Sequence, residues 1–61
     1  MTILEYLRTH PGKHTAKEIA EAIGRRPYFV RLELADYVKN YMIIGHEQHG
    51  KMFYEHKEPN A

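Results

Sequence analysis

Apolar residues recur at helical spacing in three segments of the chain, and they alternate with polar residues in two shorter segments that follow. The first segment places Ile3, Leu4 and Leu7 on one side of a helix. Thr2 and Glu5, at its start, have the spacing of a capping box, in which the two residues satisfy each other's free backbone N–H groups. A first helix is therefore predicted to begin directly after Thr2.

This first helix should end near Thr9, because Pro11 disfavours the helical conformation of the residue before it. Thr15 and Glu18 then form a second capping box, which predicts that another helix begins at about Ala16. Its polar side chains face water, and its apolar face carries Ile19, Ala20 and Ile23.

A turn at Gly24 separates the second helix from a third, which Pro27 opens because its missing N–H would have no helical partner there. At 100° per residue, the predicted core stripe of this helix is Val30, Leu34, Val38 and Tyr41, with Tyr37 at its border. The opposite side is unusually apolar near the helix start, and it carries Tyr28, Leu32, Ala35 and Lys39, with Phe29 and Asp36 beside them.

After Asn40 the apolar period changes from helical to alternating. Met42 to Gln48 and Lys51 to His56 are predicted strands, joined by the two-residue loop His49-Gly50. In that register one face of the hairpin carries Ile43, Met52 and Tyr54, and the other carries Ile44 and Phe53. The sequence thus predicts an α+β fold in which a three-helix cluster precedes a C-terminal β-hairpin. We expect one domain over residues 1–57 and a flexible tail over 58–61.

Composition narrows the class of protein. The chain has 61 residues, of which 43% are hydrophobic and 28% charged, which is typical of a globular domain. It contains no Cys, so neither disulfides nor a Cys-based zinc site can hold the fold together. No apolar run reaches the roughly 18 residues of a membrane span, and the start lacks the basic residues of a signal peptide. A cytoplasmic protein without a membrane partner is expected.

The capped segment TAKEIAEAIG, the helix-core residues Val30, Leu34 and Tyr37, and the hairpin with Gly50, Lys51 and Phe53-Tyr54 resemble the winged helix-turn-helix family of DNA-binding domains. The resemblance covers nearly the whole chain, and it is nearest to very small bacterial and phage transcriptional regulators. It implies that Pro27 to Asn40 is the recognition helix and that Gln48 to Lys51 is the tip of the wing.

Basic residues concentrate around the predicted turn. Between Lys13 and Arg31 there are five cations and two carboxylates, and the cations are Lys13, Lys17, Arg25, Arg26 and Arg31. Of these, Lys17, Arg25, Arg26 and Arg31 are candidates for contact with DNA. Neither Arg25 nor Arg26 can cap a helix by accepting a hydrogen bond, so the N–H groups of the third helix remain available to an anion such as a DNA phosphate. The alternative is a basic turn that is simply solvated.

Tyr28, Phe29 and Leu32 are candidates to contact DNA, where apolar groups pack on thymine methyls and a Tyr hydroxyl reaches a phosphate or a base edge. They also suit the centre of a protein interface. A third interpretation is that Phe29 packs beneath the second helix. At the hairpin tip, His49 and Lys51 are candidates for contact with the phosphate backbone, or they are ordinary exposed residues.

The five His residues do not have metal-ligand spacing, so neither a metal site nor a cofactor is expected. With Ser and Cys absent and no nucleophile and base in one stretch, the chain is not expected to be an enzyme. Two functional hypotheses remain. The first is a regulator that binds double-stranded DNA in a sequence-specific manner. The second is a protein-interaction module that uses the apolar side of the third helix to bind a second copy or another regulatory protein.

Overall fold

The computed structural model describes residues 1–57, and the predicted tail at 58–61 lies outside the described residues. Three helices precede a two-stranded antiparallel hairpin, which confirms the predicted α+β order. The elements are α1 (Ile3–Thr9), α2 (Ala16–Ile23), α3 (Pro27–Lys39), β1 (Ile43–Gln48) and β2 (Lys51–His56).

Both predicted capping boxes are present. The Glu5 N–H donates to the Thr2 hydroxyl at 3.1 Å, and the Thr2 N–H donates to the Glu5 carboxylate at 2.9 Å. The latter bond lowers the pKa of Glu5 below its ordinary value. Thr15 and Glu18 form the same pair of bonds, at 3.1 and 3.2 Å. Each box fixes the first residue of its helix, because it satisfies N–H groups that no helical carbonyl can reach.

The turn between α2 and α3 depends on Gly24. Its φ of 74° is left-handed, a conformation that glycine adopts without steric cost. The N–H of Arg25 then bonds back to the Ala20 carbonyl at 2.9 Å, which closes α2. Pro27 is the first residue of α3, as predicted, and Arg26 at the N-cap forms no side-chain capping bond.

The core lies where the three helices meet the inner face of the hairpin. Its fully buried side chains are Ile3, Leu7, Ile19, Val30 and Leu34, all of which the sequence pattern predicted. Leu4, Ile23 and Val38 are only partly buried and pack against its edge. Tyr6 was not predicted in the core, yet it is buried there with Ala16, Ala20, Ile43 and Tyr54.

The assignment of Tyr41 to the core stripe of α3 was wrong. The helix ends at Lys39, and Tyr41 is 78% exposed with a left-handed φ of 60°. Its N–H bonds to the Val38 carbonyl at 3.1 Å and the N–H of Met42 bonds to the Tyr37 carbonyl at 2.8 Å, the pattern of a Schellman motif. Because glycine or asparagine usually occupies this position, a tyrosine gave no sign of the helix end.

The hairpin has the predicted turn and register, and β1 begins at Ile43, one residue later than expected. Gln48 is opposite Lys51, and both loop residues have positive φ, 53° at His49 and 78° at Gly50. Positive φ at both central residues defines a type I′ turn, whose twist matches that of the flanking strands. The inner face of the hairpin carries Ile43, Gly45, Glu47, Met52, Tyr54 and His56.

A short backbone bridge connects the hairpin to the segment between α1 and α2. The N–H of His14 bonds to the Tyr54 carbonyl at 2.9 Å, and the N–H of Tyr54 bonds to the His14 carbonyl at 2.7 Å. In the connector between α1 and α2, strand pairing is thus limited to an isolated bridge at His14. This bridge sets the start of α2 beside the middle of β2.

Two leucines of α3 test the assigned core face. Leu34 is fully buried and Leu32 is 53% exposed. Leu34→Ala should lower the free energy of unfolding by about 2 to 5 kcal/mol, because it removes buried methyl groups and leaves a cavity. Leu32→Ala should change it by no more than about 0.5 kcal/mol. Equal melting temperatures for the two variants would contradict this packing.

The capping box of α2 is tested by Thr15→Ala, which should lower stability by about 1 kcal/mol because the Glu18 N–H loses its acceptor. Thr15→Ser keeps the hydroxyl and should remain near the wild-type value. Chemical denaturation measures both. Loss of stability in the Ser variant equal to that in the Ala variant would show that the Thr methyl group, and not the cap, matters.

Candidate functional site

The start of α2, the middle of α3 and strand β2 enclose an open cleft of about 400 Å³. Each of these elements contributes one cation, which are Lys17, Arg31 and Lys51. The remaining lining residues are Thr15, Ala16, Met52 and Tyr54. Three of the cations predicted to bind DNA, far apart in sequence, are thus brought together at one place.

The charge of the cleft favours anions. No carboxylate is among its lining residues, and none of its three cations forms an ion pair with a carboxylate of residues 1–57. Like charges that converge without compensation raise the local concentration of anions. The hydroxyl of Thr15, which lines the cleft, accepts the N–H of Glu18 and retains its own hydrogen as a donor.

The exposed side of α3 begins beside the cleft. Arg31 follows the buried Val30 and therefore lies about 100° around the helix from it. Tyr28 and Leu32 lie further round on the same side, and they are 63% and 53% exposed. Phe29 is 50% exposed and contacts the Tyr28 ring edge to face, with centroids 5.3 Å apart. The interpretation that Phe29 packs beneath α2 was therefore wrong.

On the far side of this apolar surface, Arg25 forms a salt bridge with Glu33. The hydrogen bond from Arg25 lowers the pKa of the Glu33 carboxyl, and the same bond raises the pKa of Arg25. The pair links the turn to the second turn of α3. It also compensates the charge of Glu33, which would otherwise repel a polyanion bound to this side of the helix. The Arg25 guanidinium is correspondingly less available to a phosphate.

The other two candidate cationic positions are exposed. Arg26 stands at the N-cap of α3, where it forms no ion pair with another described residue, and the first N–H groups of that helix lack a side-chain cap. His49 lies at the hairpin turn, two residues before Lys51. Neither residue lines the cleft.

Of the five His residues, His10 and His49 are exposed, and His14, His46 and His56 are partly buried. The rings of Tyr6 and His10 stack with their centroids 4.2 Å apart, and the His14 ring meets the Tyr6 ring edge to face at 5.3 Å. Nδ1 of His14 is buried without a hydrogen-bond partner, 3.6 Å from the Glu18 carboxylate. His46 pairs with Glu55 at 3.0 Å. No group of three or more His, Asp or Glu within residues 1–57 is arranged to hold a metal ion.

Sequence reasoning missed the apolar floor of the cleft. The alternation in β2 placed Met52 and Tyr54 on the inner face, but nothing in the sequence indicated that Met52 would stay 44% exposed while Tyr54 is buried. No family model, no curated protein and no solved structure matches the chain. Within the described residues, no helix is long and apolar enough to cross a membrane.

The ion pair of Arg25 and Glu33 predicts a measurable acid titration. Because the folded-state pKa of Glu33 lies below its ordinary 4.5, the small stabilisation from this exposed pair is present above that value and is lost as the pH falls through the folded pKa. Arg25→Gln should move the Glu33 midpoint, followed by carboxyl NMR, back toward 4.5. Arg26→Gln should leave it unchanged. An unmoved midpoint in Arg25→Gln would refute the pairing.

Proposed function

We propose that the protein is a small winged-helix regulator, acting on transcription or in a phage, that binds double-stranded DNA in a sequence-specific manner. In this proposal α3 is the recognition helix and lies in the major groove. The hairpin is the wing, and its tip contacts the adjacent phosphate backbone. The protein acts without catalysis, in the cytoplasm.

The observation that carries the proposal is the convergence of Lys17, Arg31 and Lys51 beside the exposed side of α3, with no carboxylate among the residues that line the cleft. Duplex DNA has a high density of negative charge, and cations that neutralise its phosphates release bound counterions. Arg26 adds a fourth cation and the uncapped start of α3, whose N–H groups suit a phosphate. Arg25 is assigned a smaller share, because Glu33 already binds it.

In this proposal, side chains on the outer side of α3 recognise the bases. Tyr28 and Leu32 are four residues apart, so their side chains are neighbours on the helix surface, and Phe29 lies three residues before Leu32. All three are at least half exposed. Leu32 and Phe29 suit thymine methyl groups, and the Tyr28 hydroxyl suits a base edge or a phosphate.

The same three side chains support a second candidate function. An exposed cluster of two aromatic rings and a leucine is typical of the centre of a protein interface. In this alternative, α3 binds a second copy of the chain or another regulatory protein, and the nearby cations are of little consequence. The two functions therefore differ in which side chains contribute most of the binding free energy.

The salt dependence of duplex binding tests the DNA proposal. Changing Lys17, Arg31 or Lys51 singly to Ala should weaken binding to all sequences alike and reduce the slope of log affinity against log salt by about one unit. Lys57→Ala is the matched control, because Lys57 follows the far end of β2 and lies 5.9 Å from the centroid of the Tyr41 ring. Fluorescence anisotropy over a salt series measures both. Absence of duplex binding at low salt would refute the proposal.

Truncation of side chains on α3 to Ala distinguishes the two candidate functions. If Tyr28 and Leu32 contact bases, each Ala variant should lose about 1 to 3 kcal/mol on a selected site and little on random DNA, with the salt slope nearly unchanged. If they form a protein interface, the same variants should abolish self-association or partner binding while the cation variants retain it. Sedimentation and anisotropy on one set of proteins distinguish these outcomes.

A further inference from the structure

One feature of the cleft has no role in binding a duplex backbone, namely its concave apolar floor. Ala16 and Tyr54 are buried, whereas Met52 is 44% exposed and is the most accessible apolar residue of the lining. Phosphates on the outside of a duplex are reached by cations that project from a protein surface. They do not require an apolar cavity beneath those cations.

The charge of the cleft indicates the anionic part of its ligand. Three cations from separate elements converge there, and no carboxylate lines the cleft. A terminal phosphate monoester carries a charge of about −1.5 to −2 near neutral pH and has three strong acceptor oxygens. An internal phosphate of a nucleic acid carries a single charge. The dianion therefore matches the convergent cations better, and the Thr15 hydroxyl supplies a neutral donor beside them.

The size and floor of the cleft indicate the rest of the ligand. Its volume of about 400 Å³ is at the small end of the range of about 300 to 1,000 Å³ that is usual for small-molecule sites. There is room for one ring system with its phosphate. A flat ring with polarisable faces can pack against the Met52 thioether, because methionine sulfur makes favourable contacts with aromatic rings.

We propose that the cleft between α2, α3 and β2 binds a nucleoside monophosphate group, with its phosphate on Lys17, Arg31 and Lys51 and its base on Met52. Two sources present this chemistry, which are a free nucleotide and the phosphorylated end of a nucleic acid strand. Because duplex phosphates would use the same cations, the bound nucleotide competes with duplex DNA. The site itself does not depend on duplex binding.

The test is an amide NMR titration of the full chain with adenosine monophosphate, with adenosine and inorganic phosphate as separate probes. The monophosphate should give saturable shifts at Thr15 to Lys17, Arg31 and Lys51 to Tyr54, and it should bind more tightly than either part alone. The proposal is overturned if the monophosphate gives no saturable shift, or if inorganic phosphate binds equally well.

Paired methionine variants test the floor. Met52→Thr should weaken monophosphate binding by about fourfold to tenfold, since it removes apolar surface under the base. Met42→Thr is the control, because Met42 is equally exposed at 44% and does not line the cleft. Unchanged affinity in Met52→Thr would overturn the proposal. A blunt duplex without terminal phosphates should bind both variants like the wild type, so failure of the nucleotide site is distinguishable from failure of duplex binding.

A single-stranded oligonucleotide with a terminal phosphate, and the same strand without it, distinguish the two sources. If the strand end is the ligand, the phosphorylated strand should bind more tightly than the free monophosphate and should compete with it. If the free nucleotide is the ligand, the terminal phosphate should add little to the binding of the strand. Both results require the cleft residues to shift, and shifts elsewhere only would overturn the proposal.

Discussion

The arrangement of the cations depends on two backbone hydrogen bonds between His14 and Tyr54. They join the connector before α2 to the middle of β2, so the first turn of α2 and the N-terminal half of β2 become walls of one cleft. The bridge adds to the packing of Tyr54 against α1 and α2 in the core, and it places Lys17 and Lys51 at the same cleft. Backbone hydrogen bonds suit this purpose, because they fix the relative position of two segments and leave the side chains of those residues free for other contacts.

The third helix contributes side chains both to the core and to the exposed surface. Val30 and Leu34 have no exposed surface. Tyr28, two residues before Val30, and Leu32, two residues before Leu34, are more than half exposed. In a chain with so few core residues, the buried stripe of α3 fixes the rotation of the helix and thereby the direction of its outer side chains. The salt bridge of Arg25 to Glu33 holds the turn against the same helix and compensates the carboxylate that an anionic partner would meet.

Small size limits what this surface can do alone. One short helix and one hairpin tip offer few contacts to base edges, and specific DNA recognition by such modules commonly uses two half-sites. The proposed duplex binding therefore suits two protein molecules on the same DNA, each at one half-site. The proposed nucleotide cleft would add a control on this binding, since its ligand and the duplex phosphates use the same three cations.

The order and bounds of the elements were largely determined by the sequence itself, because capping boxes, Gly24, Pro27 and the His49-Gly50 turn act through local backbone geometry. The core position predicted for Tyr41 was wrong, because α3 ends at Lys39 and Tyr41 adopts a left-handed conformation that is unusual for tyrosine. The candidate DNA-contacting residues were named from charge, from helical periodicity and from the winged-helix resemblance, and their roles stay predictions. Only the tertiary structure placed Lys17, Arg31 and Lys51 around one apolar floor and paired Arg25 with Glu33. Such contacts depend on how packed elements meet in space, which local periodicity does not encode.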